Sequence, residues 1–173
     1  QAVNTEFIAL CADDDFIVHD ALYKGAEFLS NNRQYSVVLG QFLAYRYGTD
    51  VMFKKIYRHI KNTDLNCEDL RTRAEEFFRN YFQVLWAMHD KEVIIESLEI
   101  IEKCNCINEV FPEFIISAVA CARGSIRVLP CLWGIRRIHY SRRRKYIYNI
   151  NEEITIKEDF DKMKKEIDRA VYD

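Results

Sequence analysis

Apolar and polar positions alternate along this chain in blocks that predict alternating strands and helices. Phe7 to Ala12 reads Phe-Ile-Ala-Leu-Cys-Ala, with no polar alternation, as a strand covered on both faces requires. It stops at Asp13-Asp14-Asp15. A helix is expected from about Asp20 to Leu29, with Leu22, Ala26 and Leu29 inward and Asn31-Asn32 ending it. Ser36 to Leu39 reads as the next buried strand, closed by Gly40, and strand, helix, strand at this spacing implies a parallel crossover. Aromatic alternation around Phe42 to Tyr47 suggests another strand, and Lys54 to Lys61 is a basic stretch. Helical spacing returns over Glu68 to Asn80, with Leu70, Ala74, Phe77 and Phe78 inward, and over Lys91 to Lys103, with Ile94, Leu98 and Ile101 on one stripe. Phe82 to Met88 between them reads as a strand. Pro112 opens a helix that runs through Phe114, Ile115, Ala118, Val119 and Ala122 to a stop at Gly124. Ile126 to Leu132 is a further strand, and the tail is an amphipathic helix carrying Phe160, Met163, Ile167 and Val171. The expected architecture is α/β, with helices flanking a mixed, mainly parallel sheet. Residues 1–150 form one domain on this reading, and 151–173 a helix packed on it.

Composition narrows the class. The 173 residues suffice for one domain with a core, and 49% hydrophobic with 30% charged residues are globular values. A net charge of -2 argues against a general nucleic-acid binder. The six cysteines include Cys11 and Cys121 inside apolar segments, and Cys104-Asn105-Cys106 lacks the spacing of a zinc site, so all six read as reduced thiols in a cytoplasmic setting. No signal peptide or membrane-length apolar run is visible. Gln1, followed almost at once by an apolar run, reads as the middle of a larger protein. Strands missing ahead of it would leave an open sheet edge, from which self-association is expected.

The aspartate triplet is the main chemical signal. Three adjacent carboxylates repel one another unless a cation or water neutralises them. Their place after a buried strand is where ligands bind in open α/β sheets. Hard oxygen ligands suit Mg²⁺ or Mn²⁺ shared with a substrate phosphate. The alternative is a solvated cap for the next helix, since Asp is favoured near helix N-termini.

The segment Thr5-Glu-Phe-Ile-Ala-Leu-Cys-Ala-Asp-Asp-Asp-Phe-Ile, then Asp20-Ala-Leu-Tyr-Lys-Gly-Ala-Glu-Phe-Leu, then Ser36-Val-Val-Leu-Gly40, resembles family 2 glycosyltransferases and, more narrowly, a bacterial group related to them. The likeness covers about the first forty residues. It implies a nucleotide-diphospho-sugar transferase-like fold, a divalent cation, and inverting transfer from a nucleotide diphosphate sugar to a carbohydrate or lipid-linked acceptor. Two registers remain for the metal: Asp14 as main ligand with Asp13 nearer the ribose and Asp15 in support, or Asp13 and Asp15 together. The acceptor-side base implied by the resemblance is Glu113, in Phe111-Pro112-Glu113-Phe114, with Glu109 as nearest substitute. A Glu in a first helical turn is equally favoured by the helix dipole alone. Arg136 and Arg137 stand where the family places groups that close over the diphosphate. In that fold the strands that bind the nucleotide base precede the metal motif, so the donor site is incomplete in this chain. Arg142 to Lys145 reads first as a solvated loop and second as an attraction for anionic lipid, giving a peripheral membrane contact. The four histidines form no metal-spaced pair.

Two other functions fit parts of the pattern. A phosphatase of the haloacid dehalogenase type would use Asp13 as nucleophile and Asp15 as acid, but Ile17 departs from that motif and no second acidic pair follows a later strand. A non-catalytic binding module would use the basic stretch to dock a partner.

Overall fold

A computed structural model describes residues 4–46, 52–55, 63–108, 110–137 and 150–172, without the side chains of 46, 52–55, 150–156 and 171–172. Glu109, His59, His139 and the Arg142 to Lys145 stretch lie outside the described residues. The strands are β1 (Phe7–Ala9), β2 (Phe16–Ile17), β3 (Tyr35–Arg46), β4 (Met52–Lys55), β5 (Asp64–Leu65), β6 (Met88–Asp90) and β7 (Ser125–Arg137). The helices are α1 (His19–Asn31), α2 (Leu70–Arg79), α3 (Lys91–Cys104), α4 (Phe111–Arg123) and α5 (Ile150–Tyr172).

The sheet runs β1-β6-β3-β7-β2, with β4 beside β3 and β5 beside β7. It is mixed, and the expectation of a mainly parallel sheet is corrected: only β3 and β7 pair in parallel, while every other described pair is antiparallel. The parallel crossover from β1 through α1 to β3 is present in a split form. β1 and β3 run in the same direction, but β6 inserts between them and pairs antiparallel with both. Periodicity reports how a strand is buried and is silent about which strand lies beside it.

Helices cover both faces. Ser36 donates to the carbonyl of Ala120 on α4 at 2.6 Å. Its neighbour Tyr35 packs edge-on against Phe28 of α1, with ring centroids 4.9 Å apart. Successive strand residues face opposite ways, so α1 and α4 lie on opposite faces. Val37, Val38 and Leu39 are accordingly all fully buried. The continuous apolar run predicted this sandwiching.

Local chemistry sets the helix ends. Asp69 caps α2 by accepting from the Thr72 amide at 2.7 Å, and Asp90 caps α3 by accepting from Glu92 at 3.1 Å. Asn105 ends α3 in the left-handed region with φ 43°. Pro112 sits in the first turn of α4, and Gly124 follows its last residue. Phe78 and Leu98, expected inward, are 44% and 54% exposed. Phe77 and Ile94 are buried as expected, and Arg73 on α2 and Val93, Ser97, Ile100 and Cys104 on α3 are buried with them.

Two further expectations change. Gly40 does not close a strand. β3 continues through it to Arg46, and a Cβ at Gly40 would stand 2.6 Å from the Cys131 carbonyl. There β7 bulges: Leu39 pairs with Val128 but Gln41 with Leu132. The Phe82 to Met88 segment is not a strand. The chain turns between Val84 and Ala87, whose amide donates back to the Val84 carbonyl at 2.9 Å, and pairing begins only at Met88.

Candidate functional site

The parallel strands β3 and β7 end together, Tyr45 beside Arg137, and the triplet lies at that end, whereas β1 stops level with Val38. Asp13 and Asp14 occupy the corner of a turn closed by the Asp15 amide donating to the Ala12 carbonyl at 3.2 Å. The turn is anchored on three sides. The Tyr45 hydroxyl, from the end of β3, donates to the Asp14 carbonyl at 3.3 Å. The Cys11 thiol donates to the Asp15 carbonyl at 3.6 Å, with its pKa pushed up by burial and then by the Asp15 charge. The Val18 amide donates to the Trp133 carbonyl of β7 at 2.9 Å. The triplet does not cap α1. Val18 occupies that position, and β2 lies between.

Asp15 and Arg136 form a partly buried ion pair, with Arg136 Nε 3.0 Å from Asp15 Oδ2. The Arg137 backbone amide donates to Asp15 Oδ1 at 2.9 Å. Both Asp15 oxygens are therefore engaged by chain donors. The Arg136 guanidinium also lies over the Trp86 ring, 4.9 Å from its centroid, which adds a cation–π attraction. Arg137 itself is exposed.

A continuous polar chain leads from this pair to the other candidate. Arg136 Nη1 donates to Gln83 Oε1 at 2.8 Å. Gln83 Nε2 donates to Glu113 Oε2 at 2.6 Å. The Tyr81 hydroxyl donates to Glu113 Oε1 at 2.9 Å and lies 3.3 Å from Ser117 Oγ. Asp15, Arg136 and Glu113, far apart in sequence, thus share one hydrogen-bonded network. Arg137 joins it through its backbone, and Asp13 and Asp14 adjoin it through the turn.

Sequence reasoning did not single out Tyr81, Gln83, Trp86 or Tyr45. Phe82 and Val84 are buried at 3% and 0%. Their alternation with Tyr81 and Gln83 was the signal that the polar pair faces the other way.

The donor set bears on a cation. Among the described residues, no three His, Cys, Asp or Glu side chains are grouped to hold a metal ion. Asp15 is committed to Arg136 and Arg137, which limits the triplet to at most two carboxylate ligands for a cation. That number fits Mg²⁺ or Mn²⁺ bound by one or two carboxylates together with substrate phosphates. All six cysteines are unpaired thiols. Among the described residues, no helix is long and apolar enough to cross a membrane. No protein-family profile matches the chain, and no curated protein matches it significantly.

Proposed function

We propose that this chain is the metal-motif and acceptor-side portion of an inverting glycosyltransferase of the nucleotide-diphospho-sugar transferase-like fold. The observation that carries the reading is the network from Asp15 through Arg136 and Gln83 to Glu113. It joins one aspartate of the triplet to the Glu113 carboxylate near the shared end of β3 and β7, which supports a reading in which donor and acceptor meet there. Asp13 and Asp14 would hold a divalent cation, whose contribution is to neutralise charge on the leaving diphosphate. Arg136 holds the triplet turn against β7 and adds positive charge beside it. Glu113 accepts the proton of the acceptor hydroxyl. Two of its lone-pair positions take Gln83 and Tyr81, which leaves acceptor capacity on the same carboxylate. The donor is a nucleotide diphosphate sugar and the acceptor a carbohydrate or lipid-linked hydroxyl, with a cytoplasmic setting at the membrane surface.

Calorimetry with Mn²⁺ and then a panel of nucleotide diphosphate sugars tests this reading. Mn²⁺ is expected to bind, to strengthen nucleotide binding, and to lose at least about tenfold in affinity in Asp14→Ala, as removal of a charged ligand implies. Metal binding without nucleotide preference, or identical behaviour of wild type and variant, overturns it.

A further inference from the structure

We propose that Gln83 is a positioning residue that fixes the Glu113 carboxylate and ties it to the Arg136–Asp15 pair; this rests on Glu113 being the acceptor-side base. The amide can sit only one way round. Arg136 Nη1 carries protons and no lone pair, so it must meet the carbonyl oxygen Oε1, at 2.8 Å. That leaves Nε2 for the carboxylate at 2.6 Å, a charge-assisted contact. The amide dipole therefore lies along the line from cation to anion, favourable at both ends. Arg136 is a firm reference point, since Asp15 holds its Nε and Trp86 lies under its plane.

The spacing has a chemical consequence. A guanidinium in direct contact with Glu113 would hold the carboxylate ionised and weaken it as a base. The amide keeps that charge one residue away and still passes on its geometry. The Tyr81 hydroxyl, itself beside Ser117 Oγ, grips the second oxygen, so both ends of the carboxylate are set. The groups that this network brings to the Glu113 carboxylate are Tyr81 and Gln83 directly, Ser117 through Tyr81, and Arg136 and Asp15 through Gln83. Gln83 and Tyr81 lie in the irregular stretch before β6, which is free to aim side chains where a regular strand would not.

The test needs no substrate. The full chain, labelled at the glutamate carboxyl carbons, is followed by NMR through a pH titration as wild type, Gln83→Glu and Gln83→Met. In Gln83→Glu a second carboxylate replaces the donor, and the Glu113 signal should titrate at least about one pH unit higher than in wild type. In Gln83→Met, of similar length and without hydrogen-bonding groups, the shift should have the same sign and be smaller. Should Gln83→Glu fail to fold, Gln83→Met decides alone. A Glu113 midpoint within about 0.2 units of wild type in the folded variants overturns the proposal, because a packing role does not move one carboxyl's titration. Failure of the base reading shows separately, as full turnover in Glu113→Gln with an active donor.

Discussion

His89 is fully buried in β6, the strand between β1 and β3. Its Nε2 lies 2.9 Å from the Val84 carbonyl, which can only accept, so this nitrogen carries the proton of a neutral ring. Nδ1 is buried and has no hydrogen-bond partner among the described residues. Protonating it would place an unmatched charge in the core, and burial accordingly pulls the His89 pKa from 6.5 down to about 4. As pH falls through 6.5 the unfolded chain takes up a proton that the folded ring refuses until about 4. Stability from the neutral ring is thus whole above that window and is lost across it, by up to about 3 kcal/mol. Urea denaturation of wild type and His89→Gln between pH 7 and 4 should show a slope smaller in the variant by up to one proton. Parallel pH profiles would remove His89 as the cause. Because His89 Nε2 meets the Val84 carbonyl that also closes the Val84 to Ala87 turn, the same ring supports the stretch on which Gln83 is carried.

At the scale of elements, α2 is held to α4 by a buried arginine without a carboxylate partner in any described contact. Arg73 donates through Nε to the Cys121 carbonyl at 2.7 Å, through Nη2 to Ala122 at 3.3 Å, and through Nη1 to the Cys67 carbonyl. Two of these carbonyls belong to the last turn of α4, where acceptors lack helical partners and the dipole is negative. Arg73→Met should cost about 3 kcal/mol by leaving those carbonyls unsatisfied in the interior, read as a lowered urea midpoint with the slope kept. A midpoint unchanged from wild type would show that water replaces the guanidinium at no cost. The case also shows what periodicity reveals and where it fails. α1, α3 and α4 were visible because their apolar positions recur at helical spacing and their ends carry Asn32, Asp90, Pro112 and Gly124. α2 was found, but its inward face was partly misread: Arg73 is buried and Phe78 is not, since a capping cation looks in sequence like a solvent residue. β3 was cut at Gly40 because a lone glycine reads as a terminator, whereas here it admits the Cys131 carbonyl at the bulge of β7. No local pattern announces an approach by a segment ninety residues away.

For the whole molecule, the decisive step is the meeting of distant segments. The triplet was legible because a charge cluster after an apolar run is unusual, although β1 is three residues long and half-buried where the run predicts a strand covered on both faces. Glu113 and Arg136 were reachable only by resemblance. Their connection through Gln83 could not be read, because an amide in an irregular stretch carries no periodic signal. α5 shows the same dependence on assembly. It packs against α3 and α4, and Asp159 in it is fully buried although α5 reads as a polar, amphipathic tail. The Asp159 Oδ2 accepts from the amides of Ile107 and Asn108, both at 2.9 Å, and Lys162 Nζ lies 3.4 Å from Oδ1. These amides belong to the connector that leads into α4 and hence to Glu113. A buried carboxylate so bound ties the C-terminal helix to the base-bearing helix. Asp159→Ala should therefore loosen the molecule unevenly. Amide exchange at Ile107, Asn108 and the first turn of α4 should quicken at least about tenfold, while Val37, Val38 and Val128 in the central strands keep their protection. Uniform acceleration would mean that α5 supports the whole fold as one cooperative unit. No acceleration would mean that the connector is held by its own turn, through the Val110 amide and Asn108 Oδ1 at 2.9 Å.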